Sequence, residues 1–182
     1  CRILYAGSRA FTGEPLTMHA AQVLCDSIKE NDLVYILVGF VLLPHKVPEM
    51  DGTVSAMLLA RALVMAFNAK PIIVCPADSV QAIEKCAAVV GLHIYEDLDT
   101  VQELPLSMGV VAFTKDKAAA PAQAEALAAR KPAAVISVEA SGANALGVYH
   151  NAVGKDVTEM QAKSEALWNL LRAQGVPNIA IG

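Results

Sequence analysis

Apolar positions recur along this chain in two alternating rhythms. Residues 33–40 (LVYILVGF) form an unbroken apolar run of strand length, rich in β-formers. Such a run predicts a central strand buried on both faces, as in parallel sheets. Shorter runs at 71–75, 93–95, 109–113, 133–138 and 178–181 repeat the signal. Between them the apolar positions fall at helical spacing. Residues 18–29 carry Ala21, Leu24, Cys25 and Ile28 on one face, and residues 53–67 carry Met57, Leu58, Ala60, Leu63 and Val64. Further helices are predicted over 78–91, an Ala-rich 121–130, and 158–174, with Met160 and Trp168 reading as core. Strands alternating with helices imply right-handed crossovers. The expected fold is α/β: an open, mostly parallel, Rossmann-like sheet of five or six strands with helices on both faces.

Punctuation supports these boundaries. Asp51 or Thr53 can cap the helix at 53, and Asp78 with Gln81 marks the next start. Thr158 and Gln161 have capping-box spacing, and Gly91 and Gly175 are placed to stop helices. Residues 1–17 are mixed. The expected organisation is an N-terminal extension and helix over 1–30 and one α/β domain over 31–182.

Composition agrees with this layout. The chain has 182 residues, of which 55% are hydrophobic but only 5% aromatic, so its apolar mass is Ala, Val, Leu and Ile. The net charge is −4 and no segment concentrates Lys or Arg, which leaves no footprint for nucleic acid or an anionic membrane. The longest apolar stretch, residues 33–43, is short of the ~20 residues a spanning helix needs. No signal peptide is visible, although the chain starts at Cys1. The cytoplasm is the default expectation, or the mitochondrial matrix for a eukaryotic chain whose targeting segment has been removed. Cys1, Cys25, Cys75 and Cys86 show neither CxxC spacing nor a nearby His, so free thiols are expected. Cys25 and Cys86 read as small core residues. Neither a cofactor nor a metal is expected, and a homodimer is compatible with the pattern.

Ligands of open parallel sheets bind beyond the carboxyl ends of the strands. Two loops leave such ends and are too long and polar to be mere connectors. Residues 44–52 hold His45, Lys46, Glu49 and Asp51 and run into a helix N-terminus, where an anion could sit. A purely structural account has Asp51 capping the helix and Gly52 making the turn. Residues 139–158 hold Glu139, Gly142, Asn144, Gly147, Tyr149, His150, Asn151, Gly154, Lys155 and Asp156. Glu139 directly follows a strand, so its carboxylate is expected at the sheet edge. The structural account there is a surface loop held by its own Asn and Gly turns. His45 and His150 read as loop residues, and Tyr149 as a packing residue with its hydroxyl at the rim. GxGxxG, GxxxxGK[ST] and GxSxG are all absent, so dinucleotide, P-loop and nucleophile-elbow assignments fail.

At these loops the sequence resembles a known family. Gly39-Phe40, Pro44, Pro48-Glu49 and Asp51-Gly52, followed by Leu59-Ala60-Arg61-Ala62-Leu63, look like the opening of the D-glutamate cyclase-like C-terminal domain. Val138-Glu139-x-x-Gly142, then Gly147-x-Tyr149-x-Asn151-x-x-Gly154-x-Asp156, looks like its second signature. The resemblance runs from about residue 33 to the end. The family usually has Arg-Pro where this chain has Ala140-Ser141, and it continues past the last strand into a Gly-, Asp- and Asn-rich segment. Here the chain stops at Ile179-Ala180-Ile181-Gly182, where that segment would begin, so part of the family's site is expected to be absent or disordered. In some members the domain is attached to a second, different domain.

The resemblance implies a lyase reaction, loss of water from D-glutamate to give 5-oxo-D-proline, with a small carboxylate or amino acid as the partner molecule. Such chemistry needs a general base, a general acid and donors for the oxyanion and α-carboxylate. The expected catalytic residues are Glu139 and Asp51. The expected substrate-binding residues are Glu49, Gly52, Gly142, Asn144, Tyr149, Asn151, Lys155 and Asp156, with Lys155 or His45 balancing charge. Two other readings stand beside this one. One is a non-catalytic domain that holds a small anion at the helix terminus near Asp51. The other is a metal-assisted hydrolase of a small carboxylate, using Glu49, Asp51 and Asp156 as hard-oxygen ligands.

Overall fold

The computed structural model describes residues 2–182, so the reading of Cys1 lies outside the described residues. The predicted central strand is present as β1 (Leu33–Leu37), and every residue of it is buried. Its side chains alternate across the sheet. Val34 and Ile36 enter one core, and Leu33, Tyr35 and Leu37 enter the other. This period of two is what a strand covered on both faces requires. β4 (Lys70–Cys75) and β7 (Ala134–Val138) flank β1 in parallel. The whole sheet has six strands, all parallel, in the order β5-β6-β4-β1-β7-β8. The outer strands are β5 (His93–Tyr95), β6 (Ser107–Ala112) and β8 (Asn178–Ile181).

Helices α3 (Met50–Phe67) and α4 (Ala77–Val90) cover one face. Ala56, Met57, Ala60, Leu63 and Val64 form the inner stripe of α3. α3 is long and apolar enough to cross a membrane by length and composition, but here that stripe is spent on the sheet. The other face carries α5 (Leu98–Glu103), α6 (Ala120–Ala128) and α7 (Glu165–Ala173). Burying both faces of the sheet this way is the main source of stability.

Several local expectations change. The mixed start is helical: α1 (Arg2–Thr12) and α2 (Leu16–Ser27) form a pair in which no residue is buried. Cys25 is exposed rather than part of the core, whereas Cys75 is buried and Cys86 packs against the core as a half-buried residue. α5 was not visible in the apolar pattern. Its start is fixed by the Asp97 carboxylate, which accepts the Thr100 N–H at 2.9 Å. The residues proposed as caps do not cap. α3 begins after Glu49, with no side-chain cap, and Asp51 lies in its first turn. α4 begins after Pro76, and Asp78 instead pairs with Lys115.

The largest difference is at Thr158 and Gln161. Residues Thr158–Met160 form a 3-10 turn, and α7 starts only at Glu165. Met160 therefore does not lie on the last helix, and Trp168 is half-buried. Gln161 is fully buried and serves a tertiary purpose. Its Oε1 accepts the Val41 N–H at 3.1 Å and its Nε2 donates to the Val41 carbonyl at 3.0 Å. Satisfying both backbone groups of a buried residue outweighs a local cap.

Candidate active site

Strand order defines where a ligand belongs. From β1 the chain passes through α3 to β4 on one side, and from β7 it passes through α7 to β8 on the other. β1 and β7 are neighbours, so their carboxyl ends form a topological switch point, the crevice where open α/β sheets bind ligands. The long loops after β1 and β7 meet there. The first folds into a short hairpin, β2 (Val41–Leu42) with β3 (Val47–Pro48). Gln161 ties that hairpin to the second loop, where Ser141 Oγ also donates to Gln161 Oε1 at 3.1 Å.

A cavity of about 470 Å³ opens between the loops. Phe40 and Leu43 supply apolar wall, and Glu49, Glu139, His150 and Asn151 supply its chemistry. Glu139 stands at the end of β7, as its position after a strand predicts. Its backbone N–H donates to the Ile181 carbonyl at 3.0 Å, and its φ is +45°. α3 approaches so closely that a Cβ on Gly52 would lie 2.7 Å from Glu139 Cβ. Only a glycine permits that approach without displacing one of the two elements. The Glu139 carboxylate lies over the end of β8, within 4 Å of where a Cβ on Gly182 would be.

Glu49 occupies the N-cap position of α3 with its carboxylate free of any capping bond. Its backbone is fixed at both ends: the N–H donates to the Phe40 carbonyl at 2.8 Å, and its carbonyl accepts from Thr53 Oγ1 at 3.0 Å. Burial raises the Glu49 pKa above 4.5, and the negative charges of Asp51 and Glu139 raise it further. A carboxyl tuned upward by burial and like charge is suited to taking and returning a proton.

The other predicted residues divide. Asp51 is exposed and outside the cavity, and its Oδ1 accepts the N–H of Gly52 at 2.6 Å. That bond also occupies the Gly52 N–H expected to hold a substrate carboxylate. Asn144 Oδ1 accepts the N–H groups of Leu146 and Val148, which makes Asn144 a turn former away from the cavity. Asn151 Oδ1 likewise accepts from Val153 and Lys155, but Asn151 does line the cavity. Lys155 is exposed and does not line it, and His45 is exposed in the hairpin turn. Asp156 turns its carboxylate onto Thr158, whose side-chain and backbone hydrogen bonds hold its pKa below 3.8. Gly142 lines a separate, smaller cavity of about 250 Å³ beside Trp168. Among the described residues no group of three or more His, Cys, Asp or Glu side chains is arranged to hold a metal, so Glu49, Asp51 and Asp156 are not a ligand set.

Tyr149 is 1% exposed and its hydroxyl is not at a rim. The hydroxyl and Glu165 Oε2 are both buried, with no other hydrogen-bond partner among the described residues. Burial is the first cause that raises the Tyr149 pKa, a hydrogen bond to the Glu165 side chain the second, and the Glu165 charge the third. Tyr149 lines a further cavity of about 500 Å³, on the opposite side of its own strand segment from His150. That segment is held by a bridge between His150 and Asp156. His150 carried no functional expectation from spacing. Its place beside Asn151 in the second signature was the one available signal.

No curated protein matches the chain. A model of the D-glutamate cyclase-like C-terminal domain matches residues 12–182, which covers both loops and every strand of the sheet; the chain belongs to the D-glutamate cyclase-like C-terminal family.

Proposed function

We propose that this domain is a lyase-type cyclase that converts D-glutamate to 5-oxo-D-proline with loss of water. The observation that carries the reading is that Glu49 and Glu139 line one cavity at the switch point of a D-glutamate cyclase-like domain. At neutral pH the substrate's α-amino group is an ammonium. It must lose a proton before nitrogen attacks the γ-carboxyl carbon. Nitrogen then sheds a second proton, the C–O bond breaks, and the departing oxygen leaves as water. Two protons thus travel from nitrogen to oxygen, and no other reactant is needed.

Glu49, with its raised pKa, takes the first proton and delivers it to the leaving oxygen. Glu139, beside the N-terminus of α3, holds the ammonium and relays the second. The α3 N-terminus offsets part of the negative charge that the substrate brings, and His150 lines the same cavity. Asn151, whose oxygen is already engaged, offers its amide N–H groups to a substrate carboxylate. Asp51 drops out of the chemistry and acts on Glu49 through space.

The test is turnover. The chain is incubated separately with D- and L-glutamate and 5-oxoproline is followed by mass spectrometry. Product is expected from D-glutamate. Replacing Glu139 with Gln is expected to lower the rate by about 10²-fold or more, the range for losing a positioned acid–base group. Unchanged turnover in Glu139→Gln would remove that residue from the mechanism.

A further inference from the structure

The outer side of α3 is apolar along its whole length. The 18 residues of this helix carry two charges, Asp51 and Arg61. The inner stripe is buried on the sheet. The helix turns by about 100° per residue, so its other side presents Met50, Val54, Leu58, Ala62, Met65 and Ala66, and all six are exposed. Leu58 is 56% exposed and Met65 62%. A helix that lies on a soluble core is ordinarily polar on its outer side. The bare surface continues past the helix. Val47 on β3, just before the first turn, is exposed. Val89 on α4 is 87% exposed and adjoins the Val90 carbonyl, which accepts from Arg61 Nη1 at 2.6 Å.

Size and charge say what covers this surface. α3 is about 27 Å long. With Val47 and Val89 its bare side offers on the order of 600 Å² per copy, so two copies bury about 1,200 Å², the lower end of a specific interface. Single exposed apolar residues need no partner, but a contiguous patch of this size does. An anionic bilayer does not fit it. The one cation of α3 is engaged by the Val90 carbonyl, and the chain's net charge is −4. A second copy does fit it. A two-fold axis across the helix sets α3 antiparallel to its mate, so the half that carries Asp51 lies against the half that carries Arg61. Apolar positions then meet apolar positions, and the two helix dipoles oppose each other favourably.

From this geometry we infer that the outer side of α3 is a homodimer interface, in which the helix packs on its own copy about a two-fold axis. The inference does not rest on the cyclase reading, because none of the residues that line the Glu139 cavity belongs to the patch.

The experiment is sedimentation equilibrium of the full chain. A reversible dimer is expected to form between about 1 and 100 μM, in keeping with an interface of modest area. Leu58→Glu and Leu58→Lys are each expected to weaken it about 100-fold, because the two-fold axis brings like charges together. Both should melt within about 1 °C of the parent under dilute, monomeric conditions, since the side chain faces solvent. An equimolar mixture of the two should regain the dimer, as only a surface that meets itself allows. If either variant fails to fold, Met65→Lys repeats the test from the same side of the helix. Phe11→Glu, at an exposed apolar residue of α1, should leave the dimer unchanged. The inference is overturned if the parent is monomeric at about 100 μM, whether or not it then floats with phosphatidylcholine–phosphatidylserine vesicles. It is overturned as well if both Leu58 variants dimerise like the parent, or if Phe11→Glu abolishes the dimer. A mixture that stays monomeric also overturns it, since α3 would then meet a different surface.

Discussion

Glu49 and Asp51 sit two positions apart at the start of one helix, yet only Glu49 lines the cavity. Successive helical residues are rotated by about 100°, so neighbours on a terminus face different directions. Spacing places both acids at the terminus but does not orient them, and for that reason Asp51 was the expected catalytic partner. Glu139 was legible because a strand end fixes where the next side chain emerges. The raised pKa of Glu49 has a sign that can be tested. A carboxyl raised in the fold contributes proton-linked stability that is present at low pH and is lost as pH rises through its folded pKa. Glu49→Gln should therefore melt about 1–2 °C higher than the parent at pH 7, a small gain because solvent screens the site. The gain should fade as pH falls to where the parent's Glu49 is also neutral. Turnover should be lost at both ends of the range. A variant that is less stable at pH 7 would contradict the crowding of like charges.

At the scale of elements, the sheet strands and the longer helices were readable from periodicity, with ends shifted by a few residues. The three central strands are the clearest case, since burial on both faces leaves them apolar except for Lys70 at the start of β4 and Ser137 in β7. What was not readable came from contacts distant in sequence. Thr158 and Gln161 have the spacing of a capping box, but Gln161 lies 120 residues from the Val41 backbone it satisfies. No local pattern encodes that partner. Gln161→Ala leaves a buried N–H and a buried carbonyl unpaired and unties the β2–β3 hairpin from the loop after β7. We expect a loss of about 2–3 kcal/mol in denaturant unfolding. Hydrogen exchange should quicken at Val41 before it does in β1. Unchanged exchange at Val41 would mean the hairpin holds itself.

At the scale of the whole molecule, the sheet and its two helical layers account for most of both cores; α2 adds only Leu24 at the margin of one, and α1 stands apart from both. α1 has no buried residue, and its Phe11 is 93% exposed. The mixed composition that made residues 1–17 read as an extension does not prevent a helix, but nothing in the domain's core rests on α1. Removing residues 1–13 should therefore shift the melting temperature by no more than about 2 °C, as calorimetry would register. A fall of about 5 °C or more would mean that α1 supports the domain through α2. Glu139 makes the opposite point about what the domain keeps. Its left-handed backbone costs a glutamate of order 1–2 kcal/mol, a cost that glycine escapes. Selection for a durable fold alone would drift toward glycine at this position, giving a sturdier protein and, on the proposed chemistry, an inert one. A descendant that has abandoned its chemistry should betray itself by that single replacement.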